Sequence, residues 1–138
     1  MSCVFFVSLF VTLAAAITDK QCTNGTTYLP GAFNCPDRIP SSVCTSLYAN
    51  GGNPLKAGSS VERSENCYKD AEFKTTAISI CPQTCGYCCA TPEYSCKNKE
   101  NPRIKCESIT PSMCVDVALR GVIAQDCPNT CGFCLIQG

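Results

Sequence analysis

The stretch Cys81-Pro82-Gln83-Thr84-Cys85-Gly86-Tyr87-Cys88 recurs almost letter for letter as Cys127-Pro128-Asn129-Thr130-Cys131-Gly132-Phe133-Cys134. Three chemistries use cysteines at such spacing: a metal or iron–sulfur site, a redox-active thiol pair, and disulfides that are purely structural. The local geometry suits aiming sulfurs apart. Cys-Pro opens a tight helical turn, and the next cysteine falls on the same face one turn later. Gly86 or Gly132 then takes the left-handed conformation that swings the last cysteine away.

The compartment separates these chemistries. Residues 3–15, CVFFVSLFVTLAA, form an uncharged apolar run that ends in Ala14-Ala15-Ala16 before the polar ITDKQC. This pattern is an h-region with a small-residue cleavage site, and we read residues 1–16 as a signal peptide cut after Ala16. The run is shorter than the roughly 20 residues a membrane-spanning helix needs. No later segment is apolar enough to cross, so no membrane insertion of the mature chain is expected, and the protein is expected to be secreted and extracellular.

Of the 15 cysteines in 138 residues, only Cys3 lies in that leader. The remaining even number favours complete pairing, and a chain this rich in cysteine and lacking Trp reads as a disulfide scaffold. Such small modules bury too little apolar surface to fold without covalent staples. The 11 Lys/Arg and 11 Asp/Glu cancel, and they balance separately in each half, so no basic footprint for nucleic acid is present.

Walking backwards from the octets exposes a repeat. The second copy reads Cys96-x9-Cys106-x7-Cys114-x12-Cys127-x3-Cys131-x2-Cys134, and the first Cys35-x8-Cys44-x22-Cys67-x13-Cys81-x3-Cys85-x2-Cys88. Only the gap between the second and third cysteines differs much. The extra length at 45–66 is rich in Gly, Ser, Asn and Pro and reads as an inserted surface loop. The expected organisation is an N-terminal segment 17–34, module one at 35–88, a linker at 89–95, module two at 96–134 and a tail at 135–138. Twelve framework cysteines leave Cys22 and Cys89, which by elimination clasp the N-terminal segment to the end of module one; an intermolecular bridge at either is the alternative.

Regular structure is expected to be sparse. In module two, Thr110-Pro111 reads as an N-cap with Pro at the first helical position. Cys114, Val117 and Ala118 recur at helical spacing before Gly121. These signals predict one helix of about three turns, stopping at Gly121 and burying the face that carries Cys114.

A metal centre fits poorly with a secreted chain that has no His, and no metal ligands or cofactors are assigned. Redox catalysis needs a strand–helix alternation that is missing here. Without His there is no Ser-His-Asp or Cys-His arrangement, so no catalytic residue is assigned and the protein is expected not to be an enzyme. Asn24-Gly25-Thr26 is an N-glycosylation sequon. Asn129-Thr130-Cys131 is at best a non-standard acceptor, expected to be lost in the cystine turn. The four cations of Lys97–Lys105 are read as a solvated loop.

The Cys35-Pro36-Asp37-Arg38-Ile39-Pro40-Ser41-Ser42-Val43-Cys44 opening and the closing CPQTCGYC resemble the sea-anemone potassium-channel toxin module, the ShK-like or ShKT domain. The second module matches through its cysteine spacing and CPNTCGFC, but carries Asn98 where the first has Asp37. Tandem secreted proteins of this kind are abundant in nematodes. The resemblance implies a fold of short helices on cystine cores, with little or no sheet. It also implies a connectivity of first to sixth, second to fourth and third to fifth. That gives Cys35–Cys88, Cys44–Cys81 and Cys67–Cys85, then Cys96–Cys134, Cys106–Cys127 and Cys114–Cys131. Closing such loops stabilises by about 3–4 kcal/mol each on the chain-entropy model.

Toxin members of the family insert a Lys beside a Tyr into a channel pore. Module two has neither Lys nor aromatic between its third and fourth cysteines, whereas module one has Phe73-Lys74, with Tyr68-Lys69 nearby. Phe73 and Lys74 are therefore the candidate channel contact, against packing for Phe73 and a solvated charge for Lys74. The resemblance implies a monomeric, non-enzymatic effector that binds an extracellular protein or a membrane channel, in defence or in channel modulation. The alternative is a structural component of an extracellular matrix, cuticle or surface coat.

Overall fold

A computed structural model describes residues 16–136; the apolar run at 3–15 and the last two residues lie outside them. Five short α-helices carry the chain: α1 at Ser41–Leu47, α2 at Ala71–Ile80, α3 at Pro111–Cys114, α4 at Val117–Asp126 and α5 at Pro128–Cys131. Single 3₁₀ turns connect them. Among the described residues there is no strand, only an isolated bridge between Thr23 and Tyr28. Fourteen cysteines form seven disulfides: Cys22–Cys89, Cys35–Cys88, Cys44–Cys81, Cys67–Cys85, Cys96–Cys134, Cys106–Cys127 and Cys114–Cys131. The buried residues follow them. One cluster gathers Cys44, Tyr48, Cys67, Ala77, Cys81 and Tyr87; another gathers Cys106, Ile123, Cys127 and Phe133.

Each octet folds as its glycine demands. Gly86 has φ +68° and Gly132 φ +71°, the left-handed region where a side chain is strained. The amide of the following aromatic donates back across the turn, Tyr87 N–H to the Pro82 carbonyl at 2.7 Å and Phe133 N–H to the Pro128 carbonyl at 2.8 Å. This is the six-to-one bond that closes a helix behind a left-handed cap.

The same side chain position braces both turns from outside. The Asp37 carboxylate accepts from Gln83 N–H and Thr84 N–H, at 2.9 and 3.0 Å, and from the Thr84 hydroxyl at 2.6 Å. In module two the Asn98 carbonyl oxygen accepts from Asn129 N–H at 2.9 Å, and its amide donates to the Thr130 hydroxyl at 3.0 Å. Asn98 therefore departs from Asp37 in charge but not in task.

Module two corrects the expected single helix. Thr110 and Pro111 do start a helix, but α3 ends at Cys114, and α4 begins at Val117. Asp116 causes the restart, because its carboxylate accepts from Ala118 N–H at 2.8 Å and Leu119 N–H at 3.3 Å as an N-cap. Nor does Gly121 stop the run; it lies within α4 on an open face. Val117 is 93% exposed, Ala118 is exposed and Cys114 is only half-buried, so the buried face is instead that of Ile123 and Asp126.

The stretch 45–66 is a surface loop through only part of its length. It begins within α1, buries Tyr48, and returns to the core at Arg63. The segment 89–95 is a pair of 3₁₀ turns, Cys88–Ala90 and Pro92–Tyr94, around a buried Thr91. Arg38 pairs with Glu93 at 3.2 Å, Cys134 N–H donates to the Glu93 carbonyl at 3.1 Å, and Asn34 bonds Asn129. Glu93 of the connecting segment thus touches both cystine-closed units, and the Asn34–Asn129 contact spans them directly.

Candidate functional site

The face of module one around α2 divides the candidate pair, Phe73 and Lys74. Asp70 caps α2 by accepting from Phe73 N–H at 2.9 Å, and the helix that follows turns the two neighbouring side chains to different sides. Lys74 turns inward. Its ammonium lies 2.7 Å from an Asp19 carboxylate oxygen, and the side chain is 30% exposed. Phe73 faces outward at 39% exposure, and the cation over its ring is Lys69, with Nζ 3.5 Å from the ring centre. The aromatic–cation pair offered to solvent is therefore Lys69–Phe73, at a spacing of four residues. Leu47 and Tyr48 complete a shallow groove beside it with Asn66, Glu72 and Thr76.

Behind α2 lies a buried ionic cluster that sequence patterning gave no reason to expect. Arg63 is 1% exposed, with its guanidinium carbon 4.1 Å from the Tyr87 ring centre and 5.1 Å from that of Tyr28. Its Nη2 donates to the Gln21 carbonyl at 2.8 Å, and Nη1 lies 3.9 Å from Asp19. Nε and Nη1 have no hydrogen-bond partner among the described residues, so the charge is met by Asp19 and the two ring faces. Tyr87 donates its hydroxyl to Asp19 at 3.1 Å.

The titration of this cluster follows from its packing. Burial by itself raises the pKa of Asp19, but the hydrogen bond from Lys74, the Gln21 N–H and the Arg63 charge outweigh it, leaving the carboxyl below its usual value. Burial raises the Tyr87 phenol despite Arg63, and the Asp19 charge adds to the rise. Lys74 thus holds the N-terminal segment onto α2, a task no spacing rule would have assigned to it.

In module two the basic loop meets a buried acid. Arg103 grips Asp126 through Nε and Nη2 at 2.8 and 2.9 Å and through its backbone N–H at 2.8 Å; Lys99 lies 3.6 Å away. The Arg103 side chain and then its backbone N–H hold the Asp126 carboxyl well below the ordinary range, against the opposing effect of burial. Two of the loop's four cations are thereby engaged. Arg120 covers the Phe133 ring at 5.3 Å, so each octet aromatic has an arginine over it, supplied by a different element.

Two other groupings can be tested by their chemistry. Asp37 lies within 4.8 Å of the Cys44 and Cys81 sulfurs. Those sulfurs are bonded to each other and so offer no thiolate, and both oxygens of the lone carboxylate already accept hydrogen bonds, so the set does not suit a metal. A groove of about 510 Å³ runs between Phe33, Tyr48, Pro54 and Leu55, and among the described residues Asp37 is the only carboxylate lining it.

The two sequons differ in access. Asn24 is exposed, and its side-chain oxygen accepts from Thr26 and Thr27 N–H and from the Thr26 hydroxyl, leaving the amide nitrogen outward. The Asn129 amide nitrogen donates to the carbonyls of Tyr94 and Cys96 at 2.6 and 2.8 Å.

Comparison with known proteins agrees with this architecture. The ShK domain-like family model matches residues 61–88 and 95–134. No curated protein and no solved structure matches the chain. No helix among the described residues is long and apolar enough to cross a membrane, and the many disulfides fit an extracellular protein. The two matched segments thus identify tandem ShK-like domains in this chain.

Proposed function

We propose that the chain is a secreted, non-enzymatic effector that binds an extracellular protein or membrane channel through the exposed α2 face of module one. The observation that carries this reading is the Lys69–Phe73 pair, a cation stacked on a ring that is open to solvent. Val43 and Leu47 of α1 are likewise exposed. Phe73 carries the argument, because aromatic side chains are enriched in the cores of protein interfaces. In this reading the first module starts at Cys35, upstream of its matched segment, because Cys35 and Cys44 bond to Cys88 and Cys81. Of the Phe73–Lys74 pair, Phe73 meets the partner and Lys74 keeps α2 in place.

The test is electrical. Potassium currents are recorded in cells exposed to the oxidised, secreted chain and then to Lys69→Ala and Phe73→Ala. Block by the parent chain that both variants lose supports the channel reading; no block by the parent ends it. The second reading is a matrix or surface-coat component, favoured by the near-complete covalent bracing. It predicts that a tagged chain accumulates in an insoluble extracellular fraction instead of staying in solution.

A further inference from the structure

Glu62 presents a half-used carboxylate to the start of the mature chain. Its Oε2 accepts from Thr18 N–H at 2.7 Å and from the Thr18 hydroxyl at 2.8 Å. Oε1 is buried and has no hydrogen-bond partner. An ionised oxygen in that condition is costly unless a donor reaches it. The nearest backbone nitrogen toward the chain start is that of Ile17, about 3 Å from the Thr18 nitrogen by covalent geometry. Nothing among the described residues accepts from it. Ile17 itself is 1% exposed, packed with Tyr28 and Ala32. Tyr28 in turn holds the loop close, donating its hydroxyl to the Val61 carbonyl at 2.9 Å and its N–H to the Ser59 carbonyl at 3.1 Å.

We propose that the α-amino group of Ile17, freed by cleavage after Ala16, forms an ion pair with Glu62 that fastens the mature amino terminus to the inserted loop. The inference rests on the secretory reading. A signal peptidase adds water across the Ala16–Ile17 bond, leaving a carboxylate on Ala16 and an ammonium on Ile17. An amide with one proton becomes a cation with three, one residue before the Thr18 N–H that Oε2 already accepts. The other groups around it are already engaged. Asp19 is held by Lys74, Arg63, Gln21 N–H and the Tyr87 hydroxyl, and Lys20 donates to the Gly25 carbonyl. Arg63 gives Nη2 to Gln21 and its faces to the two rings, with Nε and Nη1 unpartnered among the described residues, and Tyr28 donates to Val61. Glu62 is the carboxylate left with an open oxygen. Burial and the Glu62 charge also act together to raise the Tyr28 phenol, consistent with a negative charge lying against the residue that packs on Ile17.

The consequence is a fold that tightens on maturation. A paired α-ammonium has its pKa raised in the folded state, so the stability it adds is complete below about pH 8 and is lost as the pH rises through the raised value. The test labels the mature chain by reductive ¹³C-methylation, which keeps the charge, and follows the α-amino resonance through a pH titration. The expected α-amino pKa lies about one unit or more above the ordinary value of about 7.7–8.0. It returns to the ordinary value in Glu62→Gln, and also in a chain that retains Ala16 and so displaces the ammonium by one residue. An ordinary value in the mature chain overturns the ion pair, as does a raised value that Glu62→Gln leaves unchanged. Sequencing the secreted chain to an amino terminus other than Ile17 overturns the cleavage step separately, whatever the titration shows.

Discussion

The guanidinium carbon of Arg63 lies 4.1 Å from the centre of the Tyr87 ring, and this contact ties the inserted loop to the octet that closes module one. Arg120 does the same for Phe133 from α4, at 5.3 Å. Tyr87 differs from Phe133 by one hydroxyl, and that hydroxyl meets Asp19 of the N-terminal segment, for which module two has no counterpart. Arg63→Ala removes a buried cation and leaves the Gln21 carbonyl and part of Asp19 unpaired. A loss of about 2–4 kcal/mol is expected in denaturant unfolding with the disulfides intact. Arg63→Lys recovers only part of it, since an ammonium lacks the flat face that covers two rings.

Acid should weaken the fold through two carboxylates. Asp19 and Asp126 both sit below their usual pKa in the folded chain. Their contribution is therefore present above the unfolded value of about 3.9 and is lost as the pH falls through the folded values. Stability measured between about pH 5 and 7 should be nearly flat and should fall below about pH 4. Asp126→Asn should be less stable at neutral pH and show a shallower acid slope.

A Cβ at Gly132 would lie 2.7 Å from Cζ of Tyr94, whereas one at Gly86 would lie 3.0 Å from Cε1 of Phe33. Both positions also need the left-handed backbone, which costs a residue with a side chain about 1–2 kcal/mol. Gly132→Ala should therefore lower the unfolding midpoint more than Gly86→Ala. Combining it with Tyr94→Ala should recover the steric part of the loss but not the backbone part, a coupling that a double-mutant cycle reads directly.

Asn24 should carry a glycan when the chain passes through a eukaryotic secretory pathway, because its amide nitrogen is free on an exposed turn. Enzymatic removal of N-glycans should then reduce the mass, and Asn24→Gln should abolish the difference. Asn129, bound to Tyr94 and Cys96, should remain unmodified in the same digest.

The octets were legible from sequence because their chemistry is local: a proline, a glycine and three cysteines define a turn whatever surrounds it. The helix restart at Asp116 is also written locally, as an aspartate at an N-cap, but the helical spacing of Cys114, Val117 and Ala118 runs straight across it and hides the break. Arg63 was not legible. An arginine in a Gly- and Ser-rich stretch reads as solvated, and only the return of the loop onto Tyr28 and Tyr87 buries it. The separation of Phe73 from Lys74 has the same origin. Adjacent residues on a helix point to different sides, so Lys74 turns away from Phe73, and the cation over the ring comes from Lys69, ahead of the Asp70 cap.

Binding, in this account, is left to the surface between the cysteines because the fourteen cysteines among the described residues are all paired within the chain. The direct measurement is disulfide mapping of the secreted protein by proteolysis without reduction, followed by mass spectrometry. The account predicts three pairs within each module, Cys35–Cys88, Cys44–Cys81, Cys67–Cys85, Cys96–Cys134, Cys106–Cys127 and Cys114–Cys131, together with the Cys22–Cys89 clasp and no free thiol. A disulfide joining one module to the other, a free thiol at Cys22 or Cys89, or a dimer bridged through either would contradict it.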